Sequence, residues 1–175
     1  MGDMKYYIEK TREFREMIGL VQPDAKTHSD MYQSEARELD LATTKAEAAD
    51  ALADMMVVMC GWVIDIPEKA AHLESFKKTI DTLCEFNGVN LKAAFDIVHA
   101  SNMTKIVTYD DMSKTAKKYK NIGIEIEFKE PSHKVLIAYS THDQFDEFSN
   151  DYPQGKMLKS INYKSPDWSG TEWQL

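Results

Sequence analysis

Six acidic residues fall within EARELDLATTKAEAADALAD, Glu35–Asp54, and five are spaced for shared chemistry. Read as a helix, Met31, Glu35, Leu39 and Ala42 form one stripe, which Glu35 interrupts with charge. Glu38 lies one turn further on. Glu47, Asp50 and Asp54 also share a helical face, which continues as Val57, Val58 and Gly61. The spacing therefore places carboxylates on core-facing positions. A buried, unpaired carboxylate is costly, and within this stretch only Arg37 and Lys45 are basic. A divalent cation is the natural partner. Mg2+ and Mn2+ accept carboxylate oxygens and keep positions open for water and phosphate. Two antiparallel helices carrying an ExxE and an ExxD pair would face four carboxylates across one cleft, suited to metal-assisted phosphate chemistry. The bland alternative is a solvated acidic face, and Asp40 fits it. Spacing also leaves open a lysine clamp from elsewhere in the chain.

The elements that must position these groups read as helices over the first hundred residues. MKYYIEKTREFREMIGL places Tyr7, Phe14, Met17 and Ile18 near one face, and Gly19 suits a helix end. Pro23 and Asp24 open a second helix to about Ala42. Thr44 caps a third, with Glu47 completing a capping box, and Pro67 ends it near Ile66. A fourth stops at Asn87–Gly88, and a fifth runs from Leu91 to about Met103. DDMSKTAKKYKNIG predicts a short polar helix, and IEIEF with KVLIAYS predicts a β-hairpin. The tail YPQGKMLKSINYKSPDW has no period and reads as ordered loop. The expected fold is all-α, a four-to-five-helix bundle with a short C-terminal hairpin and ordered tail. Residues 1–106 would be the helical catalytic core and 107–175 an extension of the same domain.

Composition supports one domain. The chain has 175 residues, 43% of them hydrophobic, with seven glycines and five prolines. A net charge of −8 argues against nucleic acid as a broad-surface partner. Cys60 and Cys84 lie in apolar helical patterns and read as buried reduced thiols, without zinc-site spacing. No apolar leader follows Met1 and no stretch reaches membrane-span length, so a cytoplasmic protein without a membrane partner is expected.

The carboxylate pattern Glu35-xx-Glu38 with Glu47-xx-Asp50 resembles the signature of the all-α nucleoside triphosphate pyrophosphohydrolases, which include MazG and the phosphoribosyl-ATP pyrophosphohydrolases. FREMIGL (Phe14–Leu20), HASNMTKI (His99–Ile106) and QGKMLKSINYKSPD (Gln154–Asp167) resemble further motifs of one branch, in matching order. The resemblance implies a four-helix core assembled as a homo-dimer or tetramer, and hydrolysis of a nucleoside triphosphate to monophosphate and pyrophosphate. It implies that Glu35, Glu38, Glu47 and Asp50 bind several Mg2+ or Mn2+ ions, with Asp54 a further or water-mediated ligand. It makes Glu35 and Glu38 the catalytic pair. Asn102 and Lys105 would contact substrate phosphate or sugar. Lys156 and Lys159 would reach the leaving phosphates, with Tyr163 nearby. Two features depart from the pattern. Ser34 stands where many members carry a glutamate, so the general base falls to a metal-bound hydroxide or to Glu38. The segment between Lys105 and Gly155 is also longer than a minimal member needs. SNMTK and GKMLK are similar to the phage-encoded MazZ branch, which would imply dGTP or GTP as substrate for 2-aminoadenine nucleotide synthesis in a host cytoplasm. Control of the nucleotide pool is the broader expectation.

Smaller signals read as structural. Trp62 suggests core or subunit interface, and Trp168 and Trp173 suit packing of the tail onto the helices. His99 suggests a satisfied structural histidine, and KKYK (Lys117–Lys120) a solvated helix face. No nucleophile triad or phosphate-binding glycine loop is present. The competing expectations are a phosphoribosyl-ATP pyrophosphohydrolase and a non-catalytic, metal-binding helical assembly module.

Overall fold

The computed structural model describes residues 2–19 and 24–171. Among them are six α-helices: α1 (Gly2–Ile18), α2 (Ala25–Leu41), α3 (Lys45–Asp65), α4 (Ala70–Asn87), α5 (Leu91–Met103) and α6 (Tyr109–Asn121). A 3-10 turn, Pro67–Lys69, joins α3 to α4. Two antiparallel pairs follow, β1 (Ile126–Ser132) with β2 (Val135–Ser140), and β3 (Gln144–Phe145) with β4 (Asp151–Tyr152). The protein is mostly helical with a short hairpin towards the C-terminus. The expectations for Pro23, for Leu20 of FREMIGL and for Trp173 lie outside the described residues. No helix among the described residues is long and apolar enough to cross a membrane.

The chain divides into two compact units interleaved in sequence. One comprises Met1–Phe14, Val21–Ala100 and Pro166–Leu175; the other comprises Arg15–Leu20 and Ser101–Ser165.

The first unit is built around α3. Its Ala49, Leu52, Ala53, Met56, Met59 and Cys60 are fully buried, so the helix is enclosed on most sides. Tyr7 from α1, Ile80 and Cys84 from α4, and Ala94, Phe95 and Val98 from α5 complete this core. Tyr7 meets Phe95 edge-on, with ring centroids 4.8 Å apart. Trp168 returns from the tail to pack against the same cluster. On α1 the buried positions are Tyr7, Thr11 and Phe14, while Met17 is half-buried. The Thr11 hydroxyl sits beside the Cys60 thiol; burial nevertheless pushes that thiol, like Cys84, up to about 12. The helix ends follow local chemistry. Asp24 caps α2 by accepting from the Thr27 N–H at 2.8 Å, and α4 closes on Gly88 at φ +63°.

In the second unit β1 and β2 pair in register Ile126↔Ser140 and Phe128↔Ala138. Val107, Tyr119, Ile124, Leu136, Ala138 and Leu158 form its core. The tail joins this core in extended conformation, its Leu158 N–H donating to the Ala138 carbonyl at 2.8 Å. Period reading misses β3, β4 and this edge because each is only two or three residues long. The end of α1 meets the hairpin turn within this unit, where Gly19 lies directly against Pro131.

Candidate functional site

The helices α2 and α3 form an antiparallel hairpin joined by Ala42, Thr43 and Thr44. Its direction is fixed at both ends. His28 near the start of α2 reaches Asp65 at the end of α3, with Nε2 2.8 Å from Oδ2. At the other end Glu38, Leu41 and Ala42 share a cleft of about 240 Å3 with Glu47 and Asp50. Leu41 is 78% exposed and forms an apolar lip.

The five sequence-predicted carboxylates fall into distinct environments. Glu38 is exposed on α2, whereas Glu35, one turn earlier, is half-buried and does not line the cleft. Ser34 is exposed beside it. Glu47 is exposed at the start of α3. Its Oε2 accepts from the Thr43 N–H at 2.7 Å, the Thr43 hydroxyl at 2.9 Å and the Thr44 N–H at 3.0 Å. These donors, led by the Thr43 N–H, hold its pKa below the usual carboxylate range. The Thr44 hydroxyl accepts from the Glu47 N–H at 3.2 Å and closes the capping box. Asp50 and Asp54 are half-buried, and only Asp50 lines the cleft.

The core-face placement expected for these residues is therefore corrected. Asp50, Asp54 and Val57 lie on a half-buried stripe of a helix whose other faces are enclosed. A stripe left open to water is where acidic side chains stay hydrated at low cost. Among the described residues no three His, Cys, Asp or Glu side chains are gathered closely enough to hold a metal ion as they stand. Glu38, Glu47 and Asp50 nevertheless present oxygen-only donors to one cleft. This set suits Mg2+, which takes one or two carboxylates and completes its shell with water and phosphate.

The other predicted residues gather within the second unit. Asn102 is buried at 8% exposure and Lys105 is half-buried, its N–H donating to the Asn102 carbonyl at 3.0 Å. The HASNMTKI and QGKMLKSINYKSPD stretches are stitched together. The Ser101 hydroxyl donates to the Tyr163 hydroxyl at 3.1 Å and to the Lys164 carbonyl at 2.8 Å. The Lys164 N–H donates to the Thr104 hydroxyl at 2.9 Å, and the Ser160 hydroxyl to the Thr104 carbonyl at 2.9 Å. Lys159 is exposed, its ammonium 4.6 Å from the Tyr163 ring centroid. Lys156 is exposed and donates to the Asp151 carbonyl at 2.7 Å, above the Tyr152 ring.

Two smaller expectations resolve in detail. Trp62 stacks on the buried His28, with centroids 5.8 Å apart and planes within 5°, and the Lys69 ammonium lies over its ring. His99 stacks on Phe95 and sits 3.6 Å from the Glu13 carboxylate; burial holds its pKa down, partly offset by Glu13. The KKYK run is not uniformly solvated. Lys117 and Lys120 are exposed, but Tyr119 is buried and Lys118 is half-buried. The signal was present in the helical spacing Asp111, Thr115, Lys118, Tyr119, obscured by the four polar or charged neighbours around it.

No protein-family model, curated protein or solved structure matches this chain.

Proposed function

We propose that the protein is a metal-dependent nucleoside triphosphate pyrophosphohydrolase, converting its substrate to a monophosphate and pyrophosphate. The observation that carries this reading is the cleft at the open end of the α2–α3 hairpin, where Glu38, Glu47 and Asp50 meet. Glu38 and Asp50 would hold the cation, Glu47 through its oxygen not engaged in the cap, and Glu35 and Asp54 from the adjoining turns. A bound Mg2+ or Mn2+ would supply charge neutralisation for the triphosphate and a more acidic water. Glu38, exposed and within the cleft, is placed to accept a proton from that water. Motif resemblance supports dGTP or GTP as substrate, a phage or nucleotide-pool role, homo-oligomeric assembly and substrate contacts from Asn102, Lys105, Lys156, Lys159 and Tyr163.

The test is a product assay with each common NTP and dNTP, in Mg2+, Mn2+ or chelator. Metal-dependent dGMP and pyrophosphate, with little product from dATP or dCTP, is the expected result. Glu38→Gln should lower turnover by at least about a hundredfold while the circular dichroism stays unchanged. Full activity in that variant would remove Glu38 from the mechanism. Phosphoribosyl-ATP as the only substrate would reassign the enzyme, and metal-dependent melting without any turnover would indicate a binding module.

A further inference from the structure

One face of α6 grips the tail segment of the second unit. The Tyr119 hydroxyl donates to the Lys159 carbonyl at 2.9 Å, the Ile161 N–H donates to the Thr115 hydroxyl at 3.1 Å, and the Asn162 amide donates to Asp111 at 2.6 Å. Lys118 lies among them, its ammonium 3.2 Å from the Lys159 carbonyl and 3.4 Å from the Ser160 carbonyl. This grip sets the Lys118 ammonium beside the backbone from which the Lys159 side chain springs.

The two cations have no acidic counterpart. Among the described residues neither Lys118 nor Lys159 forms an ion pair with a carboxylate. Asp111, on the same α6 face, is already engaged by the Thr108 hydroxyl at 2.7 Å, the Asn162 amide and Lys114. Burial, and secondly repulsion from Lys159, push the Lys118 pKa down. A chain with 29 acidic against 21 basic residues has acids to spare, yet none balances this pair. An ammonium carries three donors, and two rather long bonds to carbonyls leave Lys118 one donor to offer. Two like charges held together in partial burial repel one another, and a bound anion reverses that cost.

We infer that Lys118 and Lys159 form an oxyanion seat within the second unit, suited to a phosphate or pyrophosphate group. Lysines bind such groups as point charges. The seat stands on the geometry of this unit and goes beyond the carboxylate reading. Were Lys118 only a backbone clamp, a neutral donor of similar reach would serve as well.

The test titrates inorganic pyrophosphate into the full chain by calorimetry, with chelator present and sodium chloride at matched ionic strength as reference. Chelator silences any metal-dependent binding at the carboxylate cleft, so failure of the seat and failure of the hydrolase reading are separately visible. Wild type should bind saturably, and Lys118→Gln and Lys159→Gln should each weaken binding roughly tenfold or more. Either tighter dGTP than pyrophosphate or the reverse supports the seat and assigns its source, nucleotide-borne or free phosphate. No saturable binding by wild type, or unchanged affinity in Lys159→Gln, overturns it. Lys159 is exposed, so that variant decides even if Lys118→Gln folds poorly.

Discussion

Glu47 answers two demands at once. Its carboxylate closes the capping box of α3 and lines the cleft proposed to hold a cation. The two roles separate by substitution. Glutamine can still accept from the Thr43 and Thr44 N–H groups but carries no charge. Glu47→Gln should therefore melt close to wild type and lose metal-dependent turnover. Thr44→Ala should do the reverse, lowering stability by about 1 kcal/mol while activity persists at moderate temperature. Thermal melts alongside the product assay check both. The cap also has a pH signature. The folded-state pKa of Glu47 is depressed, so its stabilisation is present above the unfolded value, about 4, and is lost as pH falls through the lower folded value. Wild type should lose Tm over that acidic window more steeply than Glu47→Gln. Parallel curves would assign acid sensitivity to other carboxylates.

At the scale of elements, what could be read from sequence depended on how local the deciding interaction is. The start of α3 and the end of α4 were legible because Thr44 with Glu47, and Asn87–Gly88, act within a few residues. The exposure of Asp50 and Asp54 was not, because it depends on which side of α3 its neighbours leave open. Lys118 was hidden for the same reason: only the folded tail makes it an interior group. The meeting of Gly19 with Pro131 is likewise non-local. Gly19 has φ +58°, and a Cβ there would fall 2.3 Å from the Pro131 Cβ. Gly123 has φ +76° but nothing within 4 Å of its would-be Cβ. Gly123→Ala should cost about 1–2 kcal/mol from left-handed backbone strain alone. Gly19→Ala should cost clearly more, because backbone strain and the clash add. Denaturant melts of the two variants compare them directly, and equal losses would mean that the hairpin turn yields freely.

At the scale of the whole molecule, the order of the sequence does not match the order of packing. The tail leaves the second unit at Pro166 and contributes Trp168 to the core built around α3. A cut after residue 106 would thus remove part of the helical unit as well as the segment that follows. The two cysteines provide a local reporter, since Cys60 and Cys84 are buried free thiols of that same unit. With their pKa values pushed up to about 12, neither should react with a thiol reagent at neutral pH until the unit opens. Trp168→Ala removes part of a half-buried aromatic surface, for which about 1–3 kcal/mol is the expected loss. The variant should label at Cys60 and Cys84 about tenfold faster or more, in proportion to the larger open population. If labelling stays at the wild-type rate while Tm falls, the tail stabilises the chain without guarding the α3 core, and residues 1–100 hold that core by themselves.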